Sequence, residues 1–516
     1  MALEYAQLPD DLEELKQMVL KSTSVVEALR AEVLRLRRWR FGRSSEVIDT
    51  NIAPELPLAG GENAPPASRQ EVSDPRPPKL AAVEPVASKL NHRRPARLLP
   101  PELPRVIQIH TPSRCTCPDC GKQLSRLGED ASEQLDYVHG YFQVIRHVRP
   151  KLSCGACAKI VQAPAPSRPI ERGLPTAALL AQVVAAKYAD HTPLYRQEGI
   201  YRRSGVELPR AMLASWVAEV ATLVQPLVNA LQRYVMRTNK LHADDTPVPV
   251  LSPGKGRTRT GRLWAYVRDD RPCGGTDPPA VVYRYSPNRK AERPREHLRS
   301  FTGILQADAY SGFTPLYANG KIIEAACWAH ARRKYYDVYV ADRSPVASQA
   351  LQHIGELYSI EREIRGRSPA QRRETRQLRS VPVLEALGAW LRTTQRTMSA
   401  KSPLAHAIHY TLVRWTALTR YLDDGRIEVD NNAAERAIRA LVLGRRNYLF
   451  AGSDAGGDTA ACLYSLIGTC RLNRIDPHLY LRHVLERIAM HPINRIDELL
   501  PWRVGPLSNL VLSQAA

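Results

Sequence analysis

Leu241-His-Ala-Asp-Asp-Thr-Pro-Val-Pro-Val-Leu251 is the stretch on which the fold turns. Before it the apolar spacing is helical; within it the residues are apolar and β-branched, the composition of a strand. Two adjacent aspartates, Asp244 and Asp245, sit inside it. Aspartate is depleted in strands and costly to bury unpaired, so their presence needs a reason. A Gly-rich turn, Pro253-Gly254-Lys255-Gly256, leads to a second strand at Leu263–Val267, and Cys273-Gly274-Gly275 leads to a third at Val281–Tyr285. A short helical stretch from Arg295 to Phe301 follows, and then a fourth strand, Ile304–Leu305, runs into Asp308.

Three consecutive strands, a helix and a strand are the order of a ribonuclease-H-like core. In that topology a carboxylate inside the first strand and one at the tip of the fourth lie on adjacent central strands. Taken alone, Asp308 before Ala309-Tyr310-Ser311-Gly312 also reads as a turn residue. Asp430-Asn431-Asn432 is a helix N-cap cluster opening a helix that carries Glu435, Arg436 and Arg439 and ends at Gly444-Arg445-Arg446. A carboxylate one turn into that helix can meet the two strand aspartates. Together they form an oxygen set suited to two Mg²⁺ (or Mn²⁺) ions. The 126 residues between Asp308 and Glu435 exceed what such a core needs and look helical, with seven arginines from Arg362 to Arg379. They suggest a helical insertion over about 335–425, either lying over DNA or forming an exposed charged helix pair.

Working outward, the 516 residues argue for several domains, and 44 % apolar with 24 % charged residues exclude wholesale disorder. The 73 Lys and Arg against 52 Asp and Glu leave a charge of +21, an excess suited to a polyanion. The acidic start lacks the pattern of a signal peptide, and no apolar run is read as a membrane span, so the expected location is the cytoplasm. Residues 10–45 read as a zipper-like coiled coil, with Leu12, Val19, Val26 and Val33 at a and Leu15, Ser22, Leu29 and Leu36 at d. A helix packed on its own domain shows similar spacing. Residues 49–104 carry 12 of the 40 prolines and read as a linker.

Residues 105–165 form a candidate zinc module. Cys117-x-x-Cys120 and Cys154-x-x-Cys157 offer four thiolates, with 33 residues between the knuckles for a hairpin to fill. Cys115 is an alternative ligand, and a redox role for one CxxC is the bland reading. Residues 174–237 carry three helical stripes with a turn at Ser204-Gly205. This is helix-turn-helix spacing, which puts Arg210 and Ser215 near a groove, although short helices joined by a Gly turn are also ordinary core. The core is read over 240–470 and a C-terminal segment over 471–516.

Several motifs resemble the transposases of the insertion sequence 66 family. They are His242-Ala-Asp-Asp-Thr-Pro-Val, Leu305-Gln-Ala-Asp-Ala-Tyr-Ser-Gly, Cys327-Trp-Ala-His-Ala-Arg-Arg-Lys and Asp430-Asn-Asn-Ala-Ala-Glu-Arg-Ala-Ile-Arg. Arg40-Phe-Gly-Arg-Ser-Ser-Glu, Asn447-Tyr-Leu-Phe-Ala-Gly-Ser and Asn494-Arg-Ile-Asp-Glu-Leu-Leu-Pro-Trp follow in the matching order. The resemblance implies a zipper, a zinc module, a helix-turn-helix region and a DDE catalytic core that cleaves transposon ends and joins the freed 3′-hydroxyl to target DNA. Carried onto this chain, the triad is Asp244, Asp308 and Glu435, with Asp245 the neighbour that could be mistaken for Asp244. His330, Arg332 and Arg333 match a family stretch and, with Arg210, Arg436, Arg439, Arg445 and Arg446, are the candidate DNA contacts. Homo-oligomerisation through the zipper and accessory proteins from the same element are further expectations. A DNA-binding regulator without catalysis, and a metal-dependent nuclease without strand transfer, are the alternative functions.

Overall fold

A computed structural model of the chain describes residues 99, 101, 103–112, 116, 122–138, 140–171, 173–254 and 256–505. The expected zipper and most of the expected linker lie outside the described residues.

Strand β1 (Arg105–Ile109) and the hairpin of β2 (Leu124–Val138) and β3 (Tyr141–Cys154), with β4 (Ile160–Gln162), make one sheet. The long hairpin fills the gap between the two cysteine pairs. Three helices follow: α1 (Ala177–Tyr188), α2 (Leu194–Arg203) and α3 (Arg210–Met236). A second sheet is built from β5 (Lys240–Ser252), β6 (Arg257–Arg268), β7 (Ala280–Ser286), β8 (Gly303–Gln306) and β9 (Ile322–Ala325), with α4 (Glu292–His297) between β7 and β8. Helices α5 (Trp328–Asp342), α6 (Pro345–Glu363), α7 (Pro369–Thr375), α8 (Val381–Arg396) and α9 (Pro403–Val413) form an insertion. The chain closes with α10 (Asn432–Arg445), α11 (Asp454–Leu472) and α12 (Pro477–Arg487).

The second sheet has the order β7-β6-β5-β8-β9, with β5, β6 and β7 antiparallel and β8 and β9 parallel to β5. This order puts β5 at the centre: Lys240 to Ala243 are buried, and beyond the aspartates buried Thr246, Val248 and Val250 alternate with more exposed residues, so that this half of the strand buries one face. Gly303 opens β8 at φ +128°, where a Cβ would lie 2.4 Å from the Asn239 carbonyl, so only glycine lets β8 start this close to β5.

The β7 edge is covered by α11. The Thr469 hydroxyl accepts from the Val281 N–H and donates to the Val281 carbonyl, both at 3.1 Å, and Ser465 Oγ accepts from Tyr283 N–H at 2.8 Å. Gly468 makes this approach possible, because a Cβ there would meet Val281 Cγ1 at 2.8 Å. Two hydroxyls one turn apart therefore stand in for a neighbouring strand and close an exposed edge.

The three helices of 174–237 appear where the stripes predict them, but they do not form a separate reading head. Leu213, Trp216, Val220, Val224, Leu227 and Leu231 of α3 are buried in the same apolar core as Trp264 and Tyr266 of the sheet. By length and composition the 27-residue α3 passes for a membrane span, although polar residues interrupt its apolar run; here its apolar face packs into this core. Its exposed start carries Arg210 and Ser215, and the exposed face continues along the helix through Glu219, Thr222, Gln225 and Asn229.

The insertion has its own core around Trp328, Tyr335, Leu351, Ile354, Leu357, Leu387 and Ile408. Two of the seven arginines expected to face DNA or solvent do neither. Arg376 and Arg372 are buried and share Glu361, with Arg376 Nε 2.7 Å and Arg372 Nη2 3.2 Å from it. Arg372 also meets Glu428 at 2.9 Å, and Glu428 lies 4.0 Å from buried Lys240 at the start of β5. Burial without counter-charge is prohibitive, so these cations serve to fasten the insertion to the sheet.

The edge closure is testable. Thr469→Val keeps the shape but leaves the Val281 N–H and carbonyl buried and unpaired, an expected loss of about 1–3 kcal/mol. Thermal denaturation should show a lower midpoint, and an unchanged midpoint would mean the hydroxyl contributes nothing to the edge.

Candidate active site

The site is built around an irregular buried segment, Ile427 to Asn431, that pairs with no strand. Its backbone is satisfied from several directions. The Gln306 side chain accepts from Glu428 N–H at 2.9 Å and donates to the Glu428 carbonyl at 2.8 Å. Arg376 donates to the Ile427 carbonyl at 2.9 Å, and the Trp328 N–H donates to the Val429 carbonyl at 3.0 Å. Asn431 N–H donates to Cys327 Sγ at 3.2 Å. The Asn431 side chain donates to the Ala243 carbonyl at 2.8 Å and lies 3.1 Å from His242 Nδ1, which ties the start of α10 to β5 beside Asp244. Burial holds His242 neutral, pushing its pKa down to about 4. The expected cap is thus rearranged: Asn431 caps no helix N–H with its side chain, and Asp430 accepts from Asn432 N–H at 3.1 Å.

On this scaffold the Asp244 carboxyl lies within the electrostatic reach of Asp308 and Glu435. Burial pushes the Asp244 carboxyl up to about 8, with the negative charges of Asp308 and Glu435 adding to the effect. Asp430, close behind, is pushed up to about 6 by burial, with Glu428 and Glu435 contributing. Asp245 faces other partners. Its fully buried carboxylate meets Arg289 at 2.7 Å and Arg262 at 3.0 Å. Arg289 also reaches Asp308 at 3.5 Å and stacks 3.9 Å from the Tyr310 ring centre, so it braces one edge of the carboxylate group.

His330 lies on the first turn of α5 with Nδ1 3.8 Å from a Glu435 oxygen. That nitrogen is buried and has no hydrogen-bond partner. Cys327 Sγ, His330 and Glu435 present ligand atoms within 4.8 Å of one another. Among the described residues, Glu435 and this orphaned nitrogen offer converging donors to a divalent cation, whose charge would also offset the crowding of Asp244 by Asp308 and Glu435.

The other expected contacts divide. Arg333, Arg436, Arg439 and Arg446 are exposed, and Arg210 is exposed at the start of α3. Arg445 is half-buried and donates to the Pro247 carbonyl of β5. Arg332 is a correction: it is 4 % exposed inside the insertion, close to Tyr336, so it lacks the surface a phosphate contact needs. Sequence reasoning missed Arg289, Gln306 and the tying role of Asn431. Gln306 stands two residues before Asp308 in the same motif, and that spacing was the available signal.

In the zinc module, Cys154 ends β3 and is buried, and Cys157 follows in a turn closed by Ala158 N–H to the Cys154 carbonyl at 2.9 Å. The bridge Thr116–Gln123 and the pairing Leu124–Cys154 bring the chain flanking the first knuckle beside the second. Cys115, Cys117 and Cys120 themselves lie outside the described residues.

Comparison with known proteins bears on this geometry. Residues 172–459 match the profile of the Transposase IS66 family, and 465–502 match the IS66 C-terminal element. The chain belongs to the transposase IS66 family. Residues 114–158 match the zinc-finger binding domain of transposase IS66, and 28–107 match a profile described as transposase C of IS166 homeodomain. The chain is 40 % identical to the uncharacterized protein y4jD of Sinorhizobium fredii, covering 97 % of this chain and 98 % of the relative. It is 38 % identical to y4qI of the same organism, over 98 % and 99 % of the two chains. A 49-residue stretch, 10 % of this chain, is 47 % identical to about half (52 %) of YuaK of Escherichia coli. Family membership supports a transposase role, a zinc-binding module and DNA as the partner.

The raised Asp244 carboxyl gives a signed pH dependence. An unfolded Asp titrates near about 3.9, whereas the folded chain holds the Asp244 proton up to about 8. The penalty is therefore absent below the unfolded value, grows between the two, and is complete above the folded one. Without divalent cations, Asp244→Asn should raise the melting midpoint by several degrees at alkaline pH, with the gain shrinking towards pH ~5. Mg²⁺ should raise the wild-type midpoint at alkaline pH and leave the variant nearly unmoved. Equal midpoints for the two proteins at alkaline pH would remove the charge crowding.

Proposed function

We propose that the chain is a DDE transposase with a ribonuclease-H-like core, cleaving transposon ends and transferring the freed 3′-hydroxyl to target DNA. The observation that supports this reading is that the buried Asp244 carboxyl of β5 feels the negative charges of Asp308, just after β8, and Glu435 of α10, in a chain of a transposase family. The strand order with β5 at the centre supports the assignment of the core.

Asp244, Asp308 and Glu435 would hold the divalent ions, Mg²⁺ or Mn²⁺, which would supply charge stabilisation for in-line displacement at a phosphodiester. Arg289 orients Asp308, and His330 borders Glu435. Arg436 and Arg439, exposed on the first turns of α10, grip backbone phosphates. In the first step water displaces the 3′-oxygen, breaking the P–O bond and leaving a 3′-hydroxyl. In the second, that hydroxyl attacks a target phosphate, and no bond to protein forms. Cys117, Cys120, Cys154 and Cys157 close a structural zinc site. The zinc module and the exposed start of α3 recognise the terminal repeats. The N-terminal zipper pairs protomers so that two ends are held together, accessory proteins of the element complete the complex, and the reaction takes place in the cytoplasm.

The test is an assay on labelled DNA carrying the element's ends, with Mg²⁺ or Mn²⁺ and the accessory proteins. Wild type should nick at the ends and give joined products. Asp244→Ala, Asp308→Ala and Glu435→Ala should each abolish both, whereas Asp245→Asn should lose no more than about 10–100-fold, the range for a group that orients a ligand. Nicking without joined products would make the chain a nuclease, and specific binding without nicking would make it a regulator. Metal analysis tests the other site: Cys154→Ser should lose the bound zinc, and retention of a full equivalent would reassign the ligands.

A further inference from the structure

Residues 447–453 carry α10 into α11 along the outer end of the β5–β6 hairpin, and they are pinned on both sides. Ala451 N–H donates to the Pro249 carbonyl at 2.8 Å, and Leu251 N–H donates to the Ala451 carbonyl at 2.9 Å. Asn447 N–H donates to the Gly444 carbonyl at 2.9 Å, the Tyr448 and Tyr464 hydroxyls bond each other, and Ser453 caps α11 by accepting from Gly456 N–H at 3.1 Å. Between these pins Leu449 is 73 % exposed and Phe450 44 %, with Leu251 partly exposed beside them. A fixed backbone presenting adjacent large apolar side chains to water is a feature of binding surfaces rather than of a bare surface.

The surroundings select the partner. Arg257 pairs in register with Ser252, next to Leu251, and Arg446 stands three residues before Leu449. Neither has an acidic partner among the described residues, whereas nearby Arg259 is neutralised by Asp454. Apolar faces set between free cations match nucleic acid, whose bases lie between phosphates.

Two rulers place this surface relative to the carboxylates. Along β5, Pro249 is five residues from Asp244, roughly 17 Å at strand rise. Along α10, Arg445 is ten residues from Glu435, about 15 Å at helix rise. At about 3.4 Å per base step, the two spans correspond to about four to five steps.

We propose that Leu449 and Phe450 form a wedge that unstacks the transposon-end duplex about four to five base steps from the phosphodiester held at Asp244, Asp308 and Glu435. Arg257 and Arg446 hold the flanking phosphates. The inference rests on the transposase reading above and adds a determinant of how the end is distorted before cleavage.

The experiment uses the full chain with end duplexes carrying 2-aminopurine at single positions three to seven steps from the cleavage point. Ca²⁺ replaces Mg²⁺ so that the DNA stays intact. Wild type should raise the fluorescence several-fold at one position, and Leu449→Ala/Phe450→Ala should abolish the rise while binding within about threefold of wild type. Both side chains are exposed, so the variant should keep the wild-type melting midpoint. With Mg²⁺, the variant should nick paired ends at least tenfold more slowly and recover on duplexes mismatched at the responding position. No fluorescence change at any position, wild-type nicking by the variant, or failure of mismatches to rescue it would overturn the wedge. A changed oligomeric state with unchanged fluorescence would overturn it in favour of a protein interface. Nicking by wild type without a fluorescence change defeats the wedge alone, whereas absence of nicking on every substrate defeats the transposase reading, with fluorescence still deciding whether the DNA is unstacked.

Discussion

The segment from Ile427 to Asn431 must be buried without a strand partner, and the side chains that satisfy its backbone determine where Glu435 goes. Gln306 mimics a neighbouring strand for Glu428, the Arg376 side chain and the Trp328 backbone N–H take the carbonyls on either side, and Asn431 binds the edge of β5. A buried backbone polar group left unpaired costs as much as a lost hydrogen bond, so this path is stable only while the insertion, β8 and β5 are all in place. The third carboxylate is therefore positioned by the assembled fold rather than by its own helix.

The insertion thus has a structural duty in addition to any contact with DNA. Its buried chain of alternating charges, Arg376–Glu361–Arg372–Glu428–Lys240, runs from the π-helical turn at Arg376–Ser380 to the first residue of the central strand. Ion pairs of this kind add little net stability but penalise every arrangement that leaves one member alone. That property suits a connection that must seat a helical layer in a single position on a sheet. The closure of β7 by hydroxyls of α11 serves the same end at the opposite edge of the sheet.

The carboxylate group carries the opposite tension. Asp244 sits where burial and two neighbouring acids oppose its ionisation, while Asp245, one residue on, has two arginines. Strand alternation separates the environments of adjacent residues, so one motif supplies both a crowded carboxylate and a neutralised one. The strain around Asp244 is what a divalent cation would relieve.

Much of this was legible in the chain. Strand composition around Asp244, the turn glycines and the order of elements gave the central sheet, and paired CxxC spacing gave the zinc module, because these signals are local and periodic. The helices of 174–237 were legible too, but not that α3 would be the core helix: amphipathic spacing gives a buried face without naming what covers it. Arg372 and Arg376 read as exposed charge because the acids that bury them lie up to 56 residues away in sequence. Arg289 carried no spacing signal, and the places of Gln306 and Asn431 inside their motifs did not say what they would bind, since a side chain that satisfies a distant backbone obeys no period. The sequence by itself determined the elements, their order and the acidic residues that had to be explained. Only the tertiary structure decided which acids meet, because that depends on pairings between segments whose separation no local pattern encodes.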